Sequence, residues 1–451
     1  MLAVAAFLGG ALPDGDLRPT PLKIWQGPNG PLIIGLWLFG TVAMATAWWV
    51  LRDRVPSVRW ALVTAGLWML PFLVTPPLGS RDAYAYACQG ASYSNGINPY
   101  EYGVSTLPCP WLDTMSYIWR DTPAPYGPLF VVLSGAVVAA TGSLLGSIAL
   151  FRVLAVAGVV LTAACLPVLA RRCGVPVGRA LWLALASPLV GVHLISGVHN
   201  DAMMVGLLVA GLAIVVTWPG RTWPLLAGGV VLGLSAGIKV TALVVVPFAA
   251  LAAIAGGFSL RGLLRDGTPV VGGALGTLVG VTLAAGLDLG WITGLSHGNE
   301  VIAWTSPPTA VGQTIGYLAL PFGLHVDALP VTRGIAMVVL AALLVWLWFR
   351  ARHREPLWHA ALALTATVAL APLFHPWYWF WPLALLAATA QRTWWFSAVT
   401  VYSAFHVLAD GTGLPRYTKT IGAPLMTLFV IVVAVRLVRS ARATRRPVPV
   451  D

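Results

Sequence analysis

Long apolar runs broken by short polar stretches recur along this chain from about residue 31 to residue 437. Many approach the roughly 20 residues an α-helix needs to cross the hydrocarbon of a bilayer. They predict helical spans near 31–51, 59–77, 148–170, 179–196, 201–217, 223–238, 240–256, 269–287, 333–350, 357–374, 377–391, 394–409 and 420–437. The expected fold class is therefore an all-α polytopic membrane protein of about 13 transmembrane helices, with residues 1–451 as a single integral membrane domain. Residues 1–12 are apolar but short, and they lack the basic stretch that opens a signal peptide. They read as a shortened or misannotated first helix. Residues 127–144 are apolar enough to span, yet counting them inverts everything downstream and moves Arg171, Arg172 and Arg179 to the outside. They are expected instead as a helix lying on the outer surface, entered through Pro125, Tyr126, Gly127 and Pro128.

Composition supports the membrane reading and charge orients it. With 58% hydrophobic and 9% charged residues, the chain is too apolar for a soluble domain. Alternating the spans places 18 of the 27 Lys and Arg on one side, together with only Asp53, Asp266, Glu355 and Asp451. That side is expected to be cytoplasmic. The formal net charge of +12 is thus a topology signal, and no basic-aromatic module for nucleic acid accompanies it. Two large loops, 78–147 and 288–332, fall on the extracytoplasmic side. Cys88 and Cys109 share the first of them, so they are either a disulfide or two free thiols in one loop.

Candidate chemistry gathers at the same side. No Walker loop, dinucleotide fingerprint, HExxH or CxxC pair is present, and the two large outer loops carry no Asp-x-Asp pair, so neither a cofactor nor a metal is expected. What remains at outer helix ends is Ser80-Arg81-Asp82, Arg120-Asp121, His199-Asn200-Asp201, Lys239, His297 with Glu300, and His375 ahead of Trp377-Tyr378-Trp379-Phe380-Trp381. Acids at the mouth of a membrane helix are costly unless they face water or substrate. A carboxylate beside an acceptor hydroxyl can serve as general base, while cations and helix-start amides can hold a phosphate leaving group. One base and one phosphate clamp suffice for sugar transfer from a lipid phosphate.

The order Asp82, then Gly96-Ile97-Asn98-Pro99-Tyr100, Thr122-Pro123-Ala124-Pro125-Tyr126-Gly127-Pro128-Leu129 and Gly197-Val198-His199-Asn200-Asp201-Ala202 resembles the GT-C membrane glycosyltransferases. Within them it looks most like the actinobacterial polyprenol-phosphomannose-dependent alpha-1,6-mannosyltransferases. The resemblance runs from about 30 to 437 and is most specific in 79–130 and 187–211. It implies inverting transfer of mannose from polyprenyl-phosphate-mannose to a lipid-anchored mannan, on the outer face of the plasma membrane, with Asp82 as catalytic base. Substrate contacts are expected from Arg81, Tyr84, Arg120, Asp121, Tyr126, His199, Asn200, Asp201, Lys239, His375 and Trp377.

Each of these has a plainer reading. Asp82 can pair with Arg81 or be solvated; Asp121, the rival base, can pair with Arg120; Asn200 can be a helix N-cap. Lys239 can snorkel to the interface, and residues 377–381 can belong to an outer aromatic belt. Of Tyr84 and Tyr86, which cannot share a helical face, Tyr84 is expected to point at Asp82. A GT-C enzyme of other sugar or acceptor specificity fits the same residues, and a lipid-linked sugar transporter is the alternative of another class. Transporters commonly carry repeated halves with broken helices meeting at the midplane, a pattern not found here.

Overall fold

In the computed structural model, which describes residues 1–107, 109–296 and 301–443, regular structure is helical. An isolated bridge between Val407 and Gly413 is the one β-type pairing among those residues. Helix α1 (Leu2–Gly9) packs on α2 (Gly30–Leu51), and α3 (Val58–Met69) runs into a 3-10 turn at Leu70–Leu73. Two shorter helices, α4 (Asp82–Ser94) and α5 (Pro128–Thr141), bracket the first polar loop. Then come α6 (Leu144–Arg172), α7 (Val177–Leu185), α8 (Asp201–Thr217), α9 (Thr222–Ile238), α10 (Val246–Ala252) and α11 (Thr268–Ala284). The remainder is α12 (Pro307–Ala319), α13 (Leu329–Ala351), α14 (Pro356–Leu370), α15 (Phe380–Thr389), α16 (Trp394–Ala404) and α17 (Lys419–Ala443).

The chain divides into two compact units, the first made of Met1–His297, Leu344–Thr365 and His375–Gly413. The second comprises Gly298–Leu343, Ala366–Phe374 and Leu414–Asp451. Within the second, Arg333 donates to the Thr309 hydroxyl at 3.0 Å and to the Val301 carbonyl at 2.9 Å. The Thr309 hydroxyl in turn donates to the Pro372 carbonyl at 2.7 Å.

Five helical stretches among the described residues are long and apolar enough to cross a membrane: Gly30–Leu51, Leu144–Arg172, Leu260–Ala284, Leu329–Ala351 and Lys419–Arg436. A sixth arises if Val177–Leu185 and Val190–Ser196, bent by 60° at their junction, count as one. The protein is polytopic, but most of the remaining expected spans are shorter or broken. Residues 179–196 break at Ala186-Ser187 and resume into a π-helix; 240–256 splits into a 3-10 turn and α10; 377–391 holds a 3-10 turn and the ten-residue α15. Apolar runs measure burial, and burial inside a bundle gives the same pattern as burial in lipid.

Four of the residues assigned by charge to one side, Asp53, Arg172, Arg179 and Glu355, meet chain segments from that same set. Thr393 donates to Asp53 at 3.1 Å, Arg179 to the Ala390 carbonyl at 2.9 Å, and Arg172 lies 3.9 Å from Glu355. Backbone contact through glycine binds the helices between. A Cβ on Gly158 of α6 would stand 2.3 Å from the Ala202 carbonyl of α8, and one on Gly229 of α9 would stand 2.3 Å from the Val270 carbonyl of α11. Where lipid is as apolar as the side chains, such close approach supplies the packing that hydrophobicity does not. Residues 128–141 form a short helix against α4, so close that a Cβ on Gly90 would sit 2.4 Å from the Ser134 carbonyl. Cys88, on α4, is disulfide-bonded to Cys109.

Two outcomes check this packing. Gly158→Val is expected to lose about 1–3 kcal/mol by overpacking, lowering the melting temperature of the detergent-solubilised protein, whereas Gly276→Ala, with nothing within 4 Å, leaves it unchanged. Denatured, non-reduced protein is expected to be alkylated at Cys165 and Cys173 only, and the bridge to be worth about 3 kcal/mol.

Candidate functional site

The geometry of the site starts from turns. Asn98 accepts from the Tyr100 amide at 3.0 Å, closing the turn at Pro99, and the Pro99 carbonyl accepts from Ala124 at 2.8 Å. The Tyr100 hydroxyl donates to the Tyr126 carbonyl at 2.7 Å. Gly127 then donates to the Ile238 carbonyl at 3.0 Å, and a Cβ there would meet the Gly237 carbonyl at 2.3 Å. Only glycine admits that approach, and Pro128 starts α5 directly after it. The two proline-rich motifs thus set Tyr126 against the end of α9, where Lys239 is found.

Lys239 does not snorkel. It is buried, and its ammonium lies 2.8 Å from Asp201, itself fully buried at the start of α8. The indole N–H of Trp381 donates to the same carboxylate oxygen, while the rings of Tyr378 and Trp381 lie 4.6 and 5.2 Å from the ammonium. Each charge suits its position: an acid belongs at a helix N-terminus and a cation at a C-terminus. Trp377, Trp379, Phe380 and Trp381 are all buried, so the aromatic run is interior and not the lipid-facing belt.

Above the ion pair is a stack of rings. Trp377 lies between His375, at 4.5 Å with planes 8° apart, and His199, at 3.8 Å and 20°. His199 Nδ1 faces Asp82 Oδ2 at 3.6 Å, too long for a hydrogen bond. Burial holds His375 down to about 3 and His199 well below the imidazole range, so both rings are neutral at working pH. Burial pushes Asp82 up to about 6, reinforced by Asp201 and opposed by the Ser80 hydroxyl and Lys239. Its side chain is nonetheless 21% accessible. The carboxyl is therefore desolvated but reachable, which suits a base.

The segment between π-helix and α8 is unusual. Val198 has φ +60°, a conformation that a β-branched residue adopts only under strong constraint. Asn200 occupies the N-cap position of α8 without a side-chain cap bond. Both polar atoms of its amide are buried without a partner, as are both ring nitrogens of His199 and of His193 and the second oxygen of Asp201. Buried polar groups are rarely left so. They concentrate in the segment that also faces Asp82, which marks it as the candidate site.

Other expected residues lie elsewhere. Tyr84 donates to the Ala11 carbonyl and so ties α4 to the segment after α1; Tyr86, one turn on from Asp82, packs edge-on to Tyr126 at 5.1 Å. Arg81 donates to the Thr114 carbonyl at 2.9 Å. Asp121 is exposed and accepts from Ser105, and Arg120 pairs with Asp113 at 3.4 Å, so neither joins the cluster. His297 and Glu300 lie outside the described residues. His193 and Arg152, each a single titratable residue inside an apolar run, are not among the residues expected from sequence.

If Asp82 is the base, activity requires its ionised form. The rate is expected to rise about tenfold per pH unit below about 6 and to level above it, measured as kcat/KM against pH.

Comparison with known proteins identifies the family. Residues 1–255 match the family model "Alpha-(1->6)-mannopyranosyltransferase, N-terminal domain", and residues 308–443 match the MptB C-terminal domain. A probable alpha-(1->6)-mannopyranosyltransferase of Mycolicibacterium smegmatis is 32% identical over 87% of this chain and 77% of its own. Alpha-(1->6)-mannopyranosyltransferase A of Mycobacterium tuberculosis is 34% identical over 79% and 71%, and that of Corynebacterium glutamicum 28% over 94% and 91%. No solved structure matches.

Proposed function

The chain belongs to the alpha-(1->6)-mannopyranosyltransferase family, and from that premise we propose that it transfers mannose, with inversion, from polyprenyl-phosphate-mannose to a lipomannan-type acceptor at the extracytoplasmic face of the plasma membrane. The observation that carries this reading is the reachable, desolvated Asp82 carboxyl beside the cluster of unpartnered polar atoms at His199, Asn200 and Asp201. The acceptor 6-hydroxyl attacks the anomeric carbon from the face opposite phosphate. Asp82 takes the hydroxyl proton as the new C–O bond forms, and the C–O bond to phosphate breaks with its electron pair leaving on polyprenyl phosphate. That leaving group is already acidic, so one base is sufficient.

Lys239 is the proposed partner of the leaving phosphate. One of its three N–H donors serves Asp201, and the others remain for an anion. His375, backed by Trp377, would line the sugar with the ring face turned away from that stack, a flat surface that pyranose C–H faces favour. The Cys88–Cys109 bridge supports the extracytoplasmic assignment, since such bonds persist in oxidising compartments.

Asp82→Asn keeps the shape and removes the basicity, and is expected to lower kcat by about 100-fold or more with donor binding retained. Wild-type turnover in that variant would move the base elsewhere. Lys239→Ala strips a buried carboxylate of its cation and is expected to destabilise the fold; in the monodisperse fraction it is expected to raise KM for the lipid donor far more than for the acceptor, with Lys239→Arg recovering part of both losses. An effect on the acceptor alone would place the phosphate clamp at another cation.

A further inference from the structure

Arg152 sits near the start of α6 with only 8% of its surface exposed, and it contacts none of the groups assigned above to substrate. Its guanidinium donates to four backbone carbonyls: Leu73 at 2.9 Å, Thr75 at 2.7 Å, Ile195 at 3.1 Å and Ser196 at 3.3 Å. These belong to two different segments. The first follows the 3-10 turn after α3 and leads to Ser80, Arg81 and Asp82; the second ends the π-helix and leads to Val198, His199 and Asn200. The hydroxyls of Thr75 and Ser196 meet at 2.8 Å, and the Ser196 hydroxyl reaches the Pro76 carbonyl at 3.1 Å. Beyond the knot the segments stay together: a Cβ on Gly197 would stand 2.9 Å from the Leu78 carbonyl, and one on Gly79 would stand 3.1 Å from the His193 ring.

We infer that Arg152 is a positioning residue whose guanidinium fixes the separation of Asp82 and His199 by binding the carbonyls that end the two segments carrying them. The chemistry suits the task. A planar guanidinium presents five N–H donors in a rigid fork, so it can satisfy carbonyls from two segments at once and transmit the position of one to the other. Those carbonyls, at helix ends inside an apolar bundle, have few other donors available. A lysine at the same place carries the charge but not the fork.

The inference rests on Asp82 being the base, and its test is chosen to separate the two. Arg152→Lys, in full-length protein purified in detergent and counted by its monodisperse fraction, is expected to lose about tenfold or more in kcat while KM for the lipid donor stays within about twofold. The pH profile supplies the readout that mere destabilisation does not move. Asp82 is faced by Ser80 and Tyr86 from its own segment, His199 and Asp201 from the start of α8, Lys239 from the end of α9, Tyr126 before α5 and Tyr378 before α15. All of these side chains remain in the variant. Loosening the segment admits water to the carboxylate, so the acid limb of kcat/KM is expected to move below about 6, towards the ordinary carboxylate range. Thr75→Val and Ser196→Ala, which remove the hydroxyl pair and leave the arginine, are expected to shift the limb the same way by less. They decide the matter if Arg152→Lys yields no folded protein. Folded variants with wild-type kcat and an unmoved acid limb overturn the positioning role, provided Asp82→Asn is inactive in the same assay. An active Asp82→Asn overturns the base assignment and the inference with it.

Discussion

The structure around the site depends on one buried ion pair. Lys239 and Asp201 sit 2.8 Å apart with side-chain exposures of 9% and 0%, in a chain where charged residues are scarce. Removing either charge from water costs several kcal/mol, and the cost is offset only when partner geometry and supporting hydrogen bonds are good. Here the support is broad. The opposed helix ends favour each charge, the Trp381 N–H serves the carboxylate, and two aromatic faces flank the ammonium. The start of α8, the end of α9 and the segment before α15 are therefore held to one another, and those segments carry His199, Asn200, Tyr378 and Trp377.

This division of labour leaves Asp82 as the odd carboxylate. Asp201 has a cation and an indole; Asp82 has a neutral imidazole at 3.6 Å and a raised affinity for protons. Two carboxylates in one pocket with environments this different are suited to different roles, one structural and one reactive. Keeping His199 and His375 neutral matters for the same reason, because an imidazolium beside Asp82 would lower its basicity.

How far the sequence discloses this can be judged residue by residue. The first-loop acid, the two proline-rich turns and the His199-Asn200-Asp201 segment stand out because polar residues are conspicuous against apolar runs. The charge count likewise anticipates that Arg172, Arg179 and Asp53 meet segments assigned to the same side. What the pattern hides is direction. Tyr84 and Tyr86 differ by two positions, and which one accompanies Asp82 is set by the packing of α4 against Ala11 on one face and α5 on the other. Arg120-Asp121 read as a site pair because adjacency in sequence suggests adjacency in space, yet each side chain finds another partner. Arg152 and His193 vanish inside expected spans because a window average dilutes one polar residue among many apolar ones. Span number fails for a related reason: hydropathy reports distance from water and cannot tell lipid from a neighbouring helix.

The glycine contacts between α6, α8, α9 and α11 have a mechanical consequence. Helices that touch backbone to backbone, as at Gly158 with Ala202 and Gly229 with Val270, have no side-chain layer between them to deform. Packed elements of this kind are stiff, and small shear between helices normally draws on side-chain rearrangement that is missing here. This quartet behaves as a fixed anvil. Any breathing needed during turnover must then fall to elements outside this quartet.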